Sequence, residues 1–305
     1  MRKLIFITTL TILTFLLVSI IYLSIYGLKT DNFNTFINGK VREYNSRLNI
    51  RLNDVFIKLN LSQGSININT KDSILISGKN AVKILNTDIN LNILKFIRSE
   101  NSIKNIRIES SENTIQDLTS LLNSIEYDLS KYIFYSQIKK GFIKFKLNAE
   151  FDIIKQRVSS YLLTGFVKDS NFNLVGMGNL DNINFNFDTK NNRTIISNLN
   201  FNFQNLNLSS ESIEIKNEGS DSYFIKGDIE NIKVSTNPNI LFKIINVKQD
   251  FLSNRKIAIQ TKNFFSFRLN KLYKLKNIKI DTILNFDEIY FNNKYQNLIF
   301  LKDGT

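Results

Sequence analysis

The side chains with most scope for chemistry in this chain are carboxylates, amides and paired glycines, and each arrangement fails on geometry or spacing. Asp287 and Glu288 have the types for general acid-base work. Neighbours in a strand point to opposite faces, however, and do not converge on one substrate atom. Asp169, Asn171 and Asn173 have the opening spacing of a calcium loop, but Leu174 stands where glycine is required and Leu180 where a bidentate acid is required. Gly176-Met177-Gly178 starts like a dinucleotide fingerprint, yet Asp181 replaces the next glycine. Gly78-Lys79 ends like a phosphate loop, with Ser73 in place of the first glycine and Asn80 in place of Ser or Thr. Asn60-Leu61-Ser62, Asn192-Arg193-Thr194 and Asn207-Leu208-Ser209 match a glycosylation acceptor pattern that an Asn-rich chain produces by chance. Histidine, cysteine and tryptophan are absent and there is one proline. Without imidazole or thiolate, Ser-His-Asp and Cys-His nucleophiles, the usual zinc sites and His- or Cys-ligated haem are all excluded. The expectation is no enzyme activity, no catalytic residue, no metal and no cofactor.

The elements themselves carry more information. Leu4 to Tyr26 is a run of 23 uncharged residues, about 34 Å long as a helix at roughly 1.5 Å per residue, enough to cross a hydrocarbon core of about 30 Å. Leu4, Phe15, Leu16, Leu17 and Ile20 are expected to face lipid, with Tyr22 and Tyr26 at the far interface. A cleaved signal peptide has a shorter apolar core and small residues at its cleavage site, whereas Ile25 and Tyr26 are bulky. An uncleaved anchor is therefore expected. Arg2 and Lys3 precede the run and only Lys29 closely follows it, which predicts a cytoplasmic N-terminus and an exported remainder. Lacking cysteine, that exported part stands without disulfides.

Forty Lys and Arg against 27 Asp and Glu give a net charge of +13. The bases are scattered, and the wealth of Asn, Ile, Lys and Phe fits AT-rich codon usage, so no nucleic-acid partner is expected. Lysines at the rim of an apolar surface would attract anionic lipid headgroups.

Past the anchor, Asp31 is placed to cap a short amphipathic helix bearing Phe33, Phe36, Ile37, Val41 and Tyr44, expected near the bilayer. From Leu48 onward the apolar period is two. Ile66 and Ile68 alternate with Asn67 and Asn69, and Ile143, Phe145, Leu147, Ala149 and Phe151 alternate with Lys144, Lys146, Asn148 and Glu150. The pattern resumes at Phe185 and Phe187, Phe201 and Phe203, Ile213 and Ile215, Ile225, Phe265 and Phe267, and Ile278 and Ile280. Two helices interrupt it: one opened by Thr114 and Asp117 with Ile115, Leu118, Leu121, Leu122 and Ile125 on one face, and one from Asn237-Pro238 onward. Asp303-Gly304 reads as a hairpin turn, and with no returning strand it suggests a chain that continues. The expected divisions are an anchor over 1–28, a juxtamembrane amphipathic helix over 29–47 and an exported β domain over 48–305.

The order of an N-terminal helix, a short helix, Leu48 to Leu59 (LNIRLNDVFIKL) and Val82 to Glu109 (VKILNTDINLNILKFIRSENSIKNIRIE) resembles the start of AsmA-like proteins of Gram-negative bacteria. A strand there leads into a short leucine-bearing segment, here Leu91 to Ile97, then a strand bearing Ile103, Ile106 and Ile108. The usual proline before the second strand is replaced by Ser62-Gln63. The resemblance implies a mainly β fold: an elongated, antiparallel, twisted sheet forming an open hydrophobic groove. It also implies a bacterial inner-membrane protein with its bulk in the periplasm, carrying phospholipid between inner and outer membranes, with an outer-membrane or periplasmic protein as partner. Ile143, Phe145, Leu147, Phe151, Phe185, Phe187, Phe201, Phe203, Ile225, Phe265 and Phe267 are the expected groove-lining residues. Physics agrees that an apolar sheet face needs a cover, and little helix is on offer. The same residues would also serve as the dry core of a sandwich or barrel. Alternatives in function are a periplasmic scaffold that adds strands to a partner and a membrane barrel.

Overall fold

A computed structural model describes residues 2–30, 33–98, 102–125, 136–152, 154–155, 157–174, 178–204, 206–219, 222–231, 234–237, 255–270, 274–289 and 301–304. The fold is mainly β: an open antiparallel sheet, a few short helices and one N-terminal apolar helix. That helix, α1 (Arg2–Ile25), has 24 residues, about 36 Å at roughly 1.5 Å each. The large apolar side chains described along it are exposed, among them Phe15, Leu16, Leu17, Ile20, Tyr22 and, just beyond it, Tyr26, except for Leu23, which is half-buried; the side chain of Leu4 lies outside the described residues. Thr11 and Thr14 return their hydroxyls to the carbonyls of Ile7 and Leu10, so the helix leaves neither hydroxyl unsatisfied.

The strands follow in chain order. They are β1 (Leu28–Lys29), β2 (Leu48–Asn60), β3 (Ser65–Ser77), β4 (Asn80–Asn92), β5 (Ile103–Ser110), β6 (Asn113–Thr114), β7 (Ile138–Asp152), β8 (Arg157–Leu174), β9 (Gly178–Lys190), β10 (Arg193–Phe203), β11 (Leu206–Asn217), β12 (Ser222–Asn231), β13 (Val234–Thr236), β14 (Ile257–Asn270), β15 (Leu275–Ile289) and β16 (Leu301–Gly304). Each pairs with the next along the sheet, except that β6 and β13 lie beside β7 and β14 off the main path. Asp303 and Gly304, expected as a turn, belong to β16, which pairs with the end of β15. The chain divides into two compact units: Met1–Tyr135 with Ile143–Gly165, and Ser136–Phe142 with Phe166–Thr305.

In both units the alternation is not strictly two. Six strands carry a three-residue step between positions that share one face: Leu52 to Val55, Thr70 to Ser73, Val167 to Ser170, Leu180 to Ile183, Ile196 to Leu199 and, with both residues exposed, Leu275 to Ile278. The third residue of each four-residue segment is Asp54, Asp72, Asp169, Asn182, Asn198 or Asn277, and all six have φ between 48° and 53°. Asp and Asn enter this left-handed region more readily than other side chains. One extra residue at a β-bulge then restores the face that plain alternation would have reversed. Side-chain contacts prove the switch. Ser73 Oγ donates to Thr70 Oγ1 at 3.0 Å, although three residues apart in a regular strand point to opposite faces. In β10, Thr194 meets Thr189 on one face at 3.0 Å while Asn200 accepts from Asn184 on the other at 3.2 Å. Residues 184 and 189 differ in parity and 194 and 200 do not, so the face changes between them at Asn198.

The N-terminal edge of the sheet is closed. Leu28 and Lys29 pair with Ile57 and Phe56, and Thr30 donates to Val55 O at 3.0 Å. Where β1 stops, α2 (Phe33–Tyr44) takes over: Asn38 Oδ1 accepts the N–H of Ile50 at 3.0 Å and Asn34 Oδ1 that of Leu52 at 3.2 Å. An unpaired edge is a template for unwanted pairing, and one helical turn of spacing between two amides blocks it here. Asp31 and the side chains of Phe33, Phe36 and Tyr44 lie outside the described residues, as does the helix expected from Pro238. Thr114 caps as expected: its Oγ1 accepts from Asp117 N at 3.1 Å and donates to Asp117 Oδ2 at the start of α4 (Ile115–Ile125). A bulge test follows from these φ values. Asn198→Val should lower the urea-unfolding stability of the detergent-solubilised chain by about 1–2 kcal/mol, whereas Asn198→Gly should change it by only a few tenths; equal losses from both would show that the left-handed φ is not what Asn198 provides.

Candidate functional site

In the first unit the paired registers gather one face. Ile57 and Leu59 of β2 sit opposite Ile68 and Ile66, which sit opposite Ile89 and Leu91. Those lie opposite Ile106 and Ile103, and Ile106 and Ile108 oppose Ala149 and Leu147. Cross-strand partners share a face, so Ile143, Phe145, Leu147 and Phe151 of β7 belong to this apolar surface. Phe145 is further fixed by its N–H, which donates to Ser110 Oγ at 2.8 Å. At one end of the strands α2 and α4 cover the surface. Leu48, Val82 and Leu121 are buried there, with Val41, Leu75, Ile84 and Leu118 packed around them. The two helices are tied by Asn45 Nδ2, which donates to Ser124 O at 2.6 Å. Towards the other end, where α1 joins, Ile57, Leu59, Ile66, Ile68, Ile89 and Ile106 remain half-buried.

The second unit repeats the arrangement with aromatic rings. Phe187 opposes Ile196, Phe201 opposes Leu208, and Phe203 opposes both Leu206 and Leu180. Ile225 lies between Ile215 and Phe267, and Gly227 between Ile213 and Phe265. Gly227 is needed there, because a Cβ would come within 2.9 Å of Ile213. Phe185 and Phe187 are 6.3 Å apart between ring centroids, and Phe265 and Phe267 stack at 5.9 Å. All seven expected lining residues of this unit, Phe185, Phe187, Phe201, Phe203, Ile225, Phe265 and Phe267, share one face. Only Phe203 is fully buried, and the other six are half-buried. No helix among the described residues of this unit covers them.

The opposite face is polar and cross-linked. Glu214 lies between Arg193 and Lys226, accepting from the latter at 2.9 Å. Glu218 receives Arg268 through Nε at 2.8 Å and Nη2 at 3.2 Å, and the same guanidinium stands 5.4 Å above the Phe224 ring. Two broad concavities lie on this polar side, one in each unit. The first, about 550 Å³, is lined by Arg193, Glu214, Lys226 and Lys279 among others; the second, about 640 Å³, by Lys71, Asp88, Arg107 and Glu109 among others. Both are dishes of mixed charge with some apolar lining, Ile195 and Phe264 in the first and Ile108, Leu147 and Leu162 in the second. Asn171, expected to fail as a calcium ligand, instead accepts the N–H of Asn182 at 3.2 Å, and Asn184 accepts that of Asp169 at 3.0 Å. Among the described residues no cluster of acids gathers to hold a metal ion.

The expected lining residues thus share one face within each unit, as their alternation required, but the bulge residues that keep that face apolar were missed; their signal was the single extra residue, Asp or Asn, inside an apolar alternation. It also missed Asn34 and Asn38, whose four-residue spacing is the only hint of their edge-closing role. No family model, curated protein or solved structure matches this chain.

The charges of the polar face generate a pH test. Hydrogen bonds from Lys226 and then Arg193 hold the Glu214 carboxyl below its ordinary value, and Arg268 does the same for Glu218. A depressed folded value means the stabilisation is complete above the ordinary carboxylate range and is lost as pH falls through the folded value. Glu214→Gln should therefore be less stable than the parent chain at about pH 7, with the gap closing towards about pH 3. Thermal unfolding across that range checks it, and a gap independent of pH would contradict the ion pairing.

Proposed function

We propose that this chain is a single-pass membrane-anchored protein that holds phospholipid acyl chains on the apolar face of its sheet and passes them away from the bilayer. The observation that carries this reading is the face itself: apolar along β2 to β5 and β7 in the first unit and β9 to β12 and β14 in the second, kept so by bulges, and mostly half-buried where a closed core would be fully buried. Acyl chains are the apolar occupant that suits a surface open along one side. Each buried methylene contributes about 0.8 kcal/mol while the headgroup stays hydrated at the margin. The uncovered end of the face in the first unit is the end at which α1 joins, which supports lipid entry at that end. The resemblance to AsmA-like proteins supports the same reading, with the inner membrane as anchor, the periplasm as location and transport towards the outer membrane as the role.

A second reading, strand addition to a partner protein, is favoured at one place only. The N-terminal edge is closed by β1 and α2, but among the described residues β15 is paired on its outer side only from Phe286 onward. Leu275, Ile278 and Ile280 are exposed there.

Site-specific photocrosslinking separates the readings. Benzoylphenylalanine in place of Phe187 or Phe267, in cells fed radiolabelled phosphate, should give a labelled lipid adduct on the chain, while Asn186 or Ser266 replaced in the same way should not, since they face the opposite side. Absence of lipid adduct from both faces would overturn the lipid reading, and a protein adduct from Ile280 alone would favour the second.

A further inference from the structure

We infer that the α1-proximal end of the first unit is a membrane-seated rim, whose apolar tips enter the headgroup boundary of the bilayer that holds α1 and whose basic residues meet anionic phosphates. The inference rests on the proposed anchoring by α1 and goes beyond it by assigning three further segments to the lipid surface.

The placement follows from hydrogen bonds. Gly27, with φ of 73°, takes the chain out of α1, and a Cβ there would strike the Phe56 ring and Ile57 O. Leu28 pairs with Ile57 in antiparallel sense, so β2 beyond Ile57 runs back alongside the end of α1 and turns at 61–64. Gly64 O accepts the N–H of Ile93 at 3.1 Å, seating α3 (Ile93–Ile97) against that turn, and Lys104 Nζ donates to Gln63 O at 3.0 Å. Asn105 opposes Glu150, so the turn after β7 lies at the same end, four strands from β2 or about 19 Å at roughly 4.8 Å per strand. Asp152 Oδ1 accepts from the N–H groups of Ile154 and Lys155 at 2.9 and 3.0 Å, which fixes this turn with the Ile154 side chain outward.

What these three tips present is unlike a water-facing sheet end. Ile154 is 88 % exposed, Ile97 73 % and Leu94 67 %, with Leu61 and Phe96 also exposed. Lys95, Arg98, Lys104, Lys155 and Arg157 accompany them, against the acids Glu150, Asp152 and, in sequence, Glu100, whose placement lies outside the described residues. The other end of the same strands differs: the turn between β3 and β4 offers Gly78 and Lys79, and α2 and α4 bury the apolar residues beside it. Large apolar tips with interspersed bases are the composition of an interfacial lipid contact, which reaches about 5–10 Å into the headgroup and acyl boundary. The polypeptide continues from this end into a helix long enough to span the bilayer, so the bilayer is the surface these tips meet.

The chain has no cysteine, so each introduced one is unique. Leu94→Cys, Ile154→Cys, Lys79→Cys and Phe15→Cys variants of the full chain would carry an environment-sensitive fluorophore in phosphatidylcholine vesicles containing about a third phosphatidylglycerol, with doxyl-lipid as quencher. Quenching at Leu94 and Ile154 should exceed that at Lys79 by about twofold or more, as expected for a label at the acyl boundary against one tens of ångströms away. Quenching at Phe15 with Leu94 and Ile154 no different from Lys79 overturns the rim and leaves the anchor standing. No quenching at Phe15 overturns the anchor and the rim together.

Discussion

The structure depends on a parity constraint. A strand has two sides, a sheet inherits them, and a side stays apolar across many strands only if every register keeps the same set of positions on it. Long strands bend and twist at bulges, and each bulge inserts one residue and would reverse the faces. Here the sequence reverses with them. Leu48, Ile50 and Leu52 are followed by Val55, Ile57 and Leu59, and Asp54 between the two sets absorbs the extra residue at positive φ. Asp72 stands in the neighbouring strand beside it, and Asn182 and Asn198 form a similar pair in the second unit. Asp and Asn at these sites tolerate the left-handed region, and nearby side-chain amides receive N–H groups at the bulges, as Asn184 does for Asp169.

An apolar face within each unit creates the next requirement. In a sandwich a second sheet would bury it, but the helices described here reach only the corner of the first unit around Leu48 and Val82. The edge at β2 is a separate problem with a separate solution, amides of α2 standing in for a neighbouring strand. Asn231 plays a comparable part in the second unit, accepting from Thr261 N at 2.8 Å and donating to Ile259 O at 3.1 Å where β12 ends. At these places backbone groups are satisfied, while the apolar surface is left half-open.

Much of this was legible in the sequence because burial and alternation are the same signal. Phe185, Phe187, Phe201 and Phe203 stand on one face as their spacing required, and Thr114 with Asp117 opens a helix as a cap should. What was not legible has a common cause. A period of two interrupted by one residue looks like two separate strands rather than one bulged strand, so Leu52-Asn53-Asp54-Val55 carried no visible meaning until its registers were known. The abundance of asparagine read as codon bias, yet Asn34, Asn38, Asn113, Asn182, Asn198 and Asn231 each satisfy or shape backbone. Asp303-Gly304 has the composition of a turn, and pairing with β15 overrode that local preference.

Half-burial also bears on how a lipid-holding face would work. A fully enclosed pocket binds one ligand tightly and releases it slowly, whereas a strip of Ile, Leu and Phe contacts offers many positions of nearly equal free energy. At about 0.8 kcal/mol per methylene, advancing a tail by one carbon exchanges one contact for an equivalent one, and the barrier stays small if no strand interrupts the strip. A bulge without its parity-restoring Asp or Asn would interrupt it, by turning amides and lysines into the path and forcing each tail to cross polar ground. On this reading the six left-handed Asp and Asn residues, none of which faces the apolar surface, matter to movement as much as the phenylalanines that line it.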